Sequence, residues 1–335
     1  MKLKVAALGA IAALTLSACS GAAEPTSSPS TSSGGGTTPA SSPAAESYTI
    51  GIAQIMTHPA LDAVAEGFKE AFAEAGIEVT FDEQNAQGDQ ATLTNIANTF
   101  ASSDADGFLA IATPTAQSLA TVITDRPVVF AAVTDPVAAG LVASWESPDA
   151  NLAGVSDLNP MKDQLELIKE ALPEAKTVGI VYSAGEVNSE VQVTEAEKAA
   201  AELGLEIKKA TVTNSSEVQQ AAASLDVDAF LIPTDNTVVS AAESVIQVGE
   251  QKQIPVFASD ESTMERGAAA GLSVNYTQQG KDAAAIMLKL LEGTPAADIP
   301  VETQKEFDLF VNVDAGGLQG LTLPDSIVSR ATKQF

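Results

Sequence analysis

Ile50-Gly51-Ile52-Ala53-Gln54-Ile55-Met56-Thr57-His58-Pro59 is the stretch from which the fold can be read. Six residues of strand character run into a polar loop and a proline. Leu61, Val64, Phe68 and Phe72 then recur at spacings of three and four, the stripe of an amphipathic helix, with Gly76 as its stop. The same alternation continues outward. Residues 77–81, 107–112 and 127–133 read as strands, and 89–100 and 116–123 as helices. It restarts near Met161 with a helix, followed by strands at 177–182, 205–212, 229–232 and 254–257 and helices at 188–203, 216–225 and 236–250. Strands alternating with helices of this length predict βαβ units. The restart near residue 160 predicts an α/β fold of two doubly wound parallel-sheet lobes.

The 335 residues carry 17 basic and 44 acidic side chains, a net charge of −27. Lys2 and Lys4 precede the apolar run 5–16, which is too short to span a bilayer of about 30 Å. A basic start, a short apolar stretch and small residues after it mark 1–18 as a signal peptide. Its end, Leu16-Ser17-Ala18-Cys19, resembles the bacterial lipobox, which implies that Cys19, the only cysteine, becomes the lipidated first residue of the mature chain. Residues 19–47 are then a lipidated Cys and a Ser/Thr/Gly/Pro/Ala tether, too poor in apolar surface to offset its ordering entropy and expected to be disordered. Losing Lys2 and Lys4 takes the charge from −27 to −29. Such a surface repels nucleic acid and anionic head groups. The expected location is therefore the outer face of the bacterial cytoplasmic membrane, held by acyl chains. The remaining residues, 48–335, suffice for two cores.

In open α/β sheets, ligands bind beyond the carboxyl ends of the strands. Those positions hold Gln54 and His58, Thr113 and Pro114, Thr134 and Asp135, and, in the second half, Asn188, Thr234, Asp235 and Asn236. Ser, Thr, Asn and Asp are also the favoured helix caps, so each has a purely structural alternative. Their accumulation along one edge of both sheets points to a small-molecule cleft, and helix N-termini there suit a carboxylate. Tyr276 follows the strand-like run 269–275 and could face an apolar or aromatic ligand group. Catalysis has little to work with: one His, no Cys after residue 19, no Cys/His cluster, no Gly-x-Ser-x-Gly elbow and no P-loop. No catalytic residue, metal site or cofactor is expected.

Several segments resemble the ABC-transporter substrate-binding lipoproteins of the tryptophan/tyrosine-binding type. They are Ile52-Ala53-Gln54, His58-Pro59-Ala60-Leu61-Asp62, Asn85-Ala86-Gln87-Gly88-Asp89, Ala112-Thr113-Pro114, Ala132-Val133-Thr134-Asp135-Pro136, Gly154-Val155-Ser156-Asp157, Pro233-Thr234-Asp235-Asn236 and Val256-Phe257-Ala258-Ser259-Asp260. The resemblance implies a type I periplasmic-binding-protein fold, with two lobes joined by three crossing strands that close over a ligand. On that template the crossings fall near Ser156-Asp157, near 258–260 and after a helix ending near Glu292. Lobe 1 is then 48–157 plus 260–296, and lobe 2 is 158–259 plus 297–335. An amino-acid ligand needs donors for its carboxylate, for which Thr113, Thr134 and Ser156 are candidates, and an acid for its ammonium, for which Asp260 is the candidate at a crossing; Asp157, beside Ser156, is a further ligand-site candidate. The implied function is capture of a small solute by hinge closure, the solute being an apolar or aromatic amino acid, with delivery to ABC permease subunits by a monomeric binding protein. A sugar or nucleoside binder of the same fold, or a surface adhesin or sensor, is the alternative.

Overall fold

The computed structural model describes residues 47–148 and 151–335. The signal peptide, Cys19 and nearly all of the tether lie outside the described residues; Ser47, assigned to the tether, already begins a strand.

The first sheet contains β1 (Ser47–Gln54), β2 (Glu78–Asn85), β3 (Gly107–Ile111), β4 (Val128–Ala131) and β5 (Leu152–Ser156), in the spatial order β2-β1-β3-β4-β5 and all parallel. The second contains β6 (Thr177–Ser183), β7 (Glu206–Val212), β8 (Ala229–Ile232), β9 (Val256–Ala258) and β10 (Ala270–Ser273), in the order β7-β6-β8-β9-β10. The two lobes thus repeat one doubly wound topology. β3, β4, β5, β8 and β9 are buried along their whole length because helices cover both faces, which is why they read as continuous apolar runs.

Connecting helices are α1 (Pro59–Glu74), α2 (Gln90–Ala101) and α3 (Thr113–Val122) in the first lobe. The second has α4 (Met161–Ala171), α5 (Val187–Leu203), α6 (Val218–Ser224), α7 (Asn236–Val239), α8 (Ala242–Lys252) and α9 (Glu261–Glu265). The helix expected at 236–250 is broken in two at residues 240 and 241.

The chain then returns to the first lobe. α10 (Tyr276–Leu291) packs along α1 at backbone contact distance: a Cβ on Gly280 would come within 2.1 Å of the Val64 carbonyl oxygen, and one on Gly67 within 2.1 Å of that of Thr277. β11 (Glu302–Thr303) adds to β5 at the edge of the first sheet. The last strands, β12 (Asp308–Val311) and β13 (Lys333–Gln334), extend the second sheet, β12 running antiparallel to β10.

Three crossings therefore join the lobes, at 157–160, 274–275 and 304–307. Only the first falls where the resemblance placed it. The second comes after β10 rather than at 258–260, because β10 is interior to the second sheet, paired with β9 on one side and β12 on the other. Asp260 consequently belongs to the second lobe, at the start of α9. The third comes after β11, so the first sheet gains residues beyond 296.

Candidate functional site

The order β2-β1-β3 reverses direction between β1 and β3, and β7-β6-β8 does so between β6 and β8. Such switch points open a crevice beyond the carboxyl ends of the strands. Here both crevices contribute to one pocket between the lobes. The first lobe supplies His58 from the β1–α1 loop, Ala60 and Leu61 from the first turn of α1, and Ala132 and Thr134 after β4. The second supplies Asn188, Thr234, Asp235, Asn236, Val239 and Asp260. Asp157 of the first crossing and Tyr276, just after the second, close it at the hinge.

The hinge side is a buried polar chain. Thr134 Oγ1 donates to Asp157 Oδ1 (3.0 Å) and the Tyr276 hydroxyl donates to Asp157 Oδ2 (3.1 Å). The Ser156 hydroxyl donates to the Thr134 carbonyl (2.8 Å) and accepts the Leu158 amide (3.0 Å). Gln279 of α10 accepts the Ala132 amide and donates to the Ser156 carbonyl, both at 3.2 Å. Ala132 and Ala112, which directly follow β4 and β3, have φ of +53° and +78°. A left-handed conformation is costly for alanine and is sustained by its surroundings. Burial pushes the Asp157 carboxyl up to about 6, against the pull of the Thr134 and Tyr276 hydrogen bonds.

The second-lobe wall is built around two more acids. Asp235 Oδ2 accepts the Ser183 amide and the Ser189 hydroxyl, both at 2.6 Å, while Oδ1 caps α7 through the Val238 amide (2.7 Å). Burial, and next the neighbouring Glu186 charge, push Asp235 above the usual carboxylate range. Glu186 reaches across from the start of α5 to the Thr237 hydroxyl (2.9 Å) and the Asn236 amide (3.2 Å). Asp260 caps α9, taking the Thr263 amide (2.9 Å) and hydroxyl (2.6 Å). His58 faces Asp260 across the cavity; burial lowers its pKa despite that carboxylate, so the ring is neutral at pH 7.

Nine of the fourteen ligand-site residues expected from sequence meet on this cavity: His58, Thr134, Asp157, Asn188, Thr234, Asp235, Asn236, Asp260 and Tyr276. Five do not. Gln54 spends its amide on Asp62 Oδ1 and the Met56 carbonyl, both at 2.7 Å. Asp135 closes its own turn through the Val137 and Ala138 amides. Ser156 is occupied as described, Thr113 is buried at the start of α3 off the cavity wall, and Pro114 lines a groove on the outer side with Gln117 and Gly185. The apolar lining Ala60, Leu61, Ala132 and Val239 was missed by the sequence reading; the first three lie within the segments that carried the resemblance, but small apolar residues give no signal of their own. Glu186 could have been found as an acid at a helix start, beside a polar loop already singled out.

Residues 49–335 match the family described as ABC transporter substrate binding protein. The chain belongs to that family. A relative named tyrosine-binding protein, from Clostridioides difficile, is 39% identical over 271 residues, 79% of each chain. The substrate-binding fold also matches two solved structures closely. One is an ABC domain in complex with L-Trp from Streptococcus pneumonia, at 32% identity and TM-score 0.84, covering 87% of this chain and 100% of that one. The other is a ligand-free, open substrate binding protein with adhesive properties from Clostridium difficile, at 37% identity and TM-score 0.67, covering 86% and 99%. The chain therefore superposes better on the L-Trp-bound structure than on the ligand-free, open one, although its sequence is more like the latter. Its family captures solutes rather than transforming them, and works outside the cytoplasm. Among the described residues no helix is long and apolar enough to cross a membrane.

Proposed function

We propose that the protein captures an aromatic amino acid between its lobes by hinge closure, and hands it to the permease of an ABC importer while tethered to the membrane through a lipid on Cys19. The observation that carries the ligand-capture reading is the location of unmet hydrogen-bonding capacity. Among the described residues, the buried side-chain polar atoms without a partner are both ring nitrogens of His58 and single oxygens of Thr113, Thr115, Asn188 and Thr234. His58, Asn188 and Thr234 line the cavity, whereas Thr113 and Thr115 lie in the first turn of α3, off its wall. Buried polar groups are otherwise almost always paired, and leaving one unpaired costs about 1–3 kcal/mol. A cleft with unpaired groups on both lobes is a cleft shaped around something polar. The apolar patch of Ala60, Leu61, Ala132 and Val239 gives an apolar side chain a surface to pack against. The names of the tyrosine-binding and L-Trp-bound relatives support an aromatic one.

Thermal unfolding with and without ligand tests this reading. A ligand at a thousand times its Kd adds about 4 kcal/mol to the folded state, roughly 8 °C in Tm for a chain of this size. A selective shift with tryptophan, tyrosine or phenylalanine is the expected result. A shift with sugars or nucleosides alone would discard the amino-acid site. No shift with any of them, from protein shown to be ligand-free, would favour the surface-attachment role suggested by the adhesive relative.

A further inference from the structure

We propose that this cavity selects the ammonium group of its ligand and only tolerates the carboxylate, so that aromatic monoamines lacking any carboxylate are a second class of ligand. The proposal rests on the amino-acid reading above and extends it to the amine.

Its basis is the one-sided charge of the cavity wall. Asp157, Asp235 and Asp260 all line it and are 3%, 0% and 1% exposed, while among the described residues no Lys or Arg does so. The Arg266 guanidinium, close behind the wall, is committed elsewhere: it donates to the Val239 carbonyl (2.9 Å) and the Thr263 hydroxyl (3.0 Å) and pairs with Glu243. Each aspartate already accepts hydrogen bonds from the protein, yet none has a cation, and a buried acid without one is unstable as an anion. Burial holds Asp157 and Asp235 above the usual carboxylate range, which is that instability expressed as proton affinity.

A second observation points the same way independently of charge. Asn188, 3% exposed and on the cavity wall, has spent its amide N–H on the Thr234 carbonyl (3.1 Å) and on Glu186, while its Oδ1 has no partner. That oxygen can only accept, so it asks the ligand for a donor. An ammonium brings three N–H groups and a positive charge. A carboxylate finds only neutral donors, the Thr234 hydroxyl, one His58 N–H and the Ala60 and Leu61 amides at the start of α1, which no side chain caps, and brings a fourth negative charge among three acids. The acidic surface, at −27 overall, also draws cations towards the cleft more strongly than zwitterions.

The two ligand groups are therefore unequal in value. Removing the carboxylate forfeits a charge-assisted hydrogen bond or two, partly offset by relief of repulsion, and weakens binding by roughly a hundredfold at most. Blocking the amine leaves buried acids unpaired, and weakens it by roughly a thousandfold or more.

Calorimetric titration of the whole protein at pH 7.5 tests this with three probes for each side chain: the amino acid (L-tyrosine or L-tryptophan), the monoamine (tyramine or tryptamine) and the N-acetyl amino acid. The expected order is amino acid, then monoamine within about a hundredfold, then the N-acetyl compound at or below detection. An N-acetyl amino acid that binds more tightly than the monoamine overturns the proposal, as does a monoamine that fails to bind while the amino acid binds. Amino acids that fail to bind at all remove the underlying amino-acid reading instead, and a monoamine that binds in that case makes the amine the ligand in its own right.

Discussion

Asp157→Asn is expected to lower affinity for the amino-acid ligand by roughly a hundredfold or more and, at the same time, to raise the stability of the ligand-free protein at pH 7.5. The two effects share one cause. Asp157 is buried, holds no cation, and has its carboxyl pushed from 3.8 up to about 6. Each pKa unit is worth about 1.4 kcal/mol, so keeping this group ionised in the folded protein costs about 3 kcal/mol at neutral pH. Asn has the same shape and can still accept from Thr134 and meet the Tyr276 hydroxyl, so the fold keeps its contacts and loses the charge. The ligand loses its counter-charge. A site that is destabilising when empty and favourable when filled is the trade expected of a binding pocket. Calorimetry and thermal unfolding of the variant beside the parent protein check both halves. Unchanged affinity would take Asp157 out of the site, and a lowered Tm would show that its charge is structurally required.

Affinity is expected to fall about tenfold for each pH unit below about 6, because a proton and the ligand ammonium compete for Asp157. Asp235, also on the wall and held above its usual range, is neutralised as pH falls and acts in the same direction. The ligand-free protein shows the opposite trend from the Asp157 carboxyl. Its folded-state pKa lies above its unfolded one, so its contribution to stability is fully present below 3.8 and is lost as pH rises through about 6. Titrations between pH 8 and pH 5 that give a constant Kd would contradict the role of these acids as the ammonium's partners.

How much of this was legible beforehand depended on burial. The apolar strands β3, β4 and β8 and the striped helix α1 follow from their apolar pattern, because their packing demands it, whereas β5, Leu152–Ser156, was not read as a strand. β2 was read as ending at Phe81 but continues through Asp82-Glu83-Gln84-Asn85. It is an edge strand whose polar residues face solvent, so pairing with β1 and not composition defines it. The second crossing was displaced by a strand because the run 269–275, though strand-like, carries no sign of which sheet it joins; it becomes β10, paired with β9 and β12 in the second sheet. The loops at the carboxyl ends were correctly singled out by position. Which side chains in them turn towards the cavity was not legible, since Asp135 and Asp235 have the same local pattern and differ only in what folds over them. Asp135 closes an exposed turn, whereas Asp235 is covered by α5 and α7. Asp260 came to the cavity for a reason other than the expected one, from the start of α9 rather than a crossing.

The most direct measurement is a crystal structure of the protein grown with saturating L-tyrosine or L-tryptophan. The account predicts one amino acid enclosed between the lobes, with its ammonium within about 3.2 Å of Asp157 or Asp260 and hydrogen bonds to His58 on one lobe and Asn188 or Thr234 on the other. A ligand held by one lobe alone, or with its ammonium turned away from all three aspartates, would contradict it.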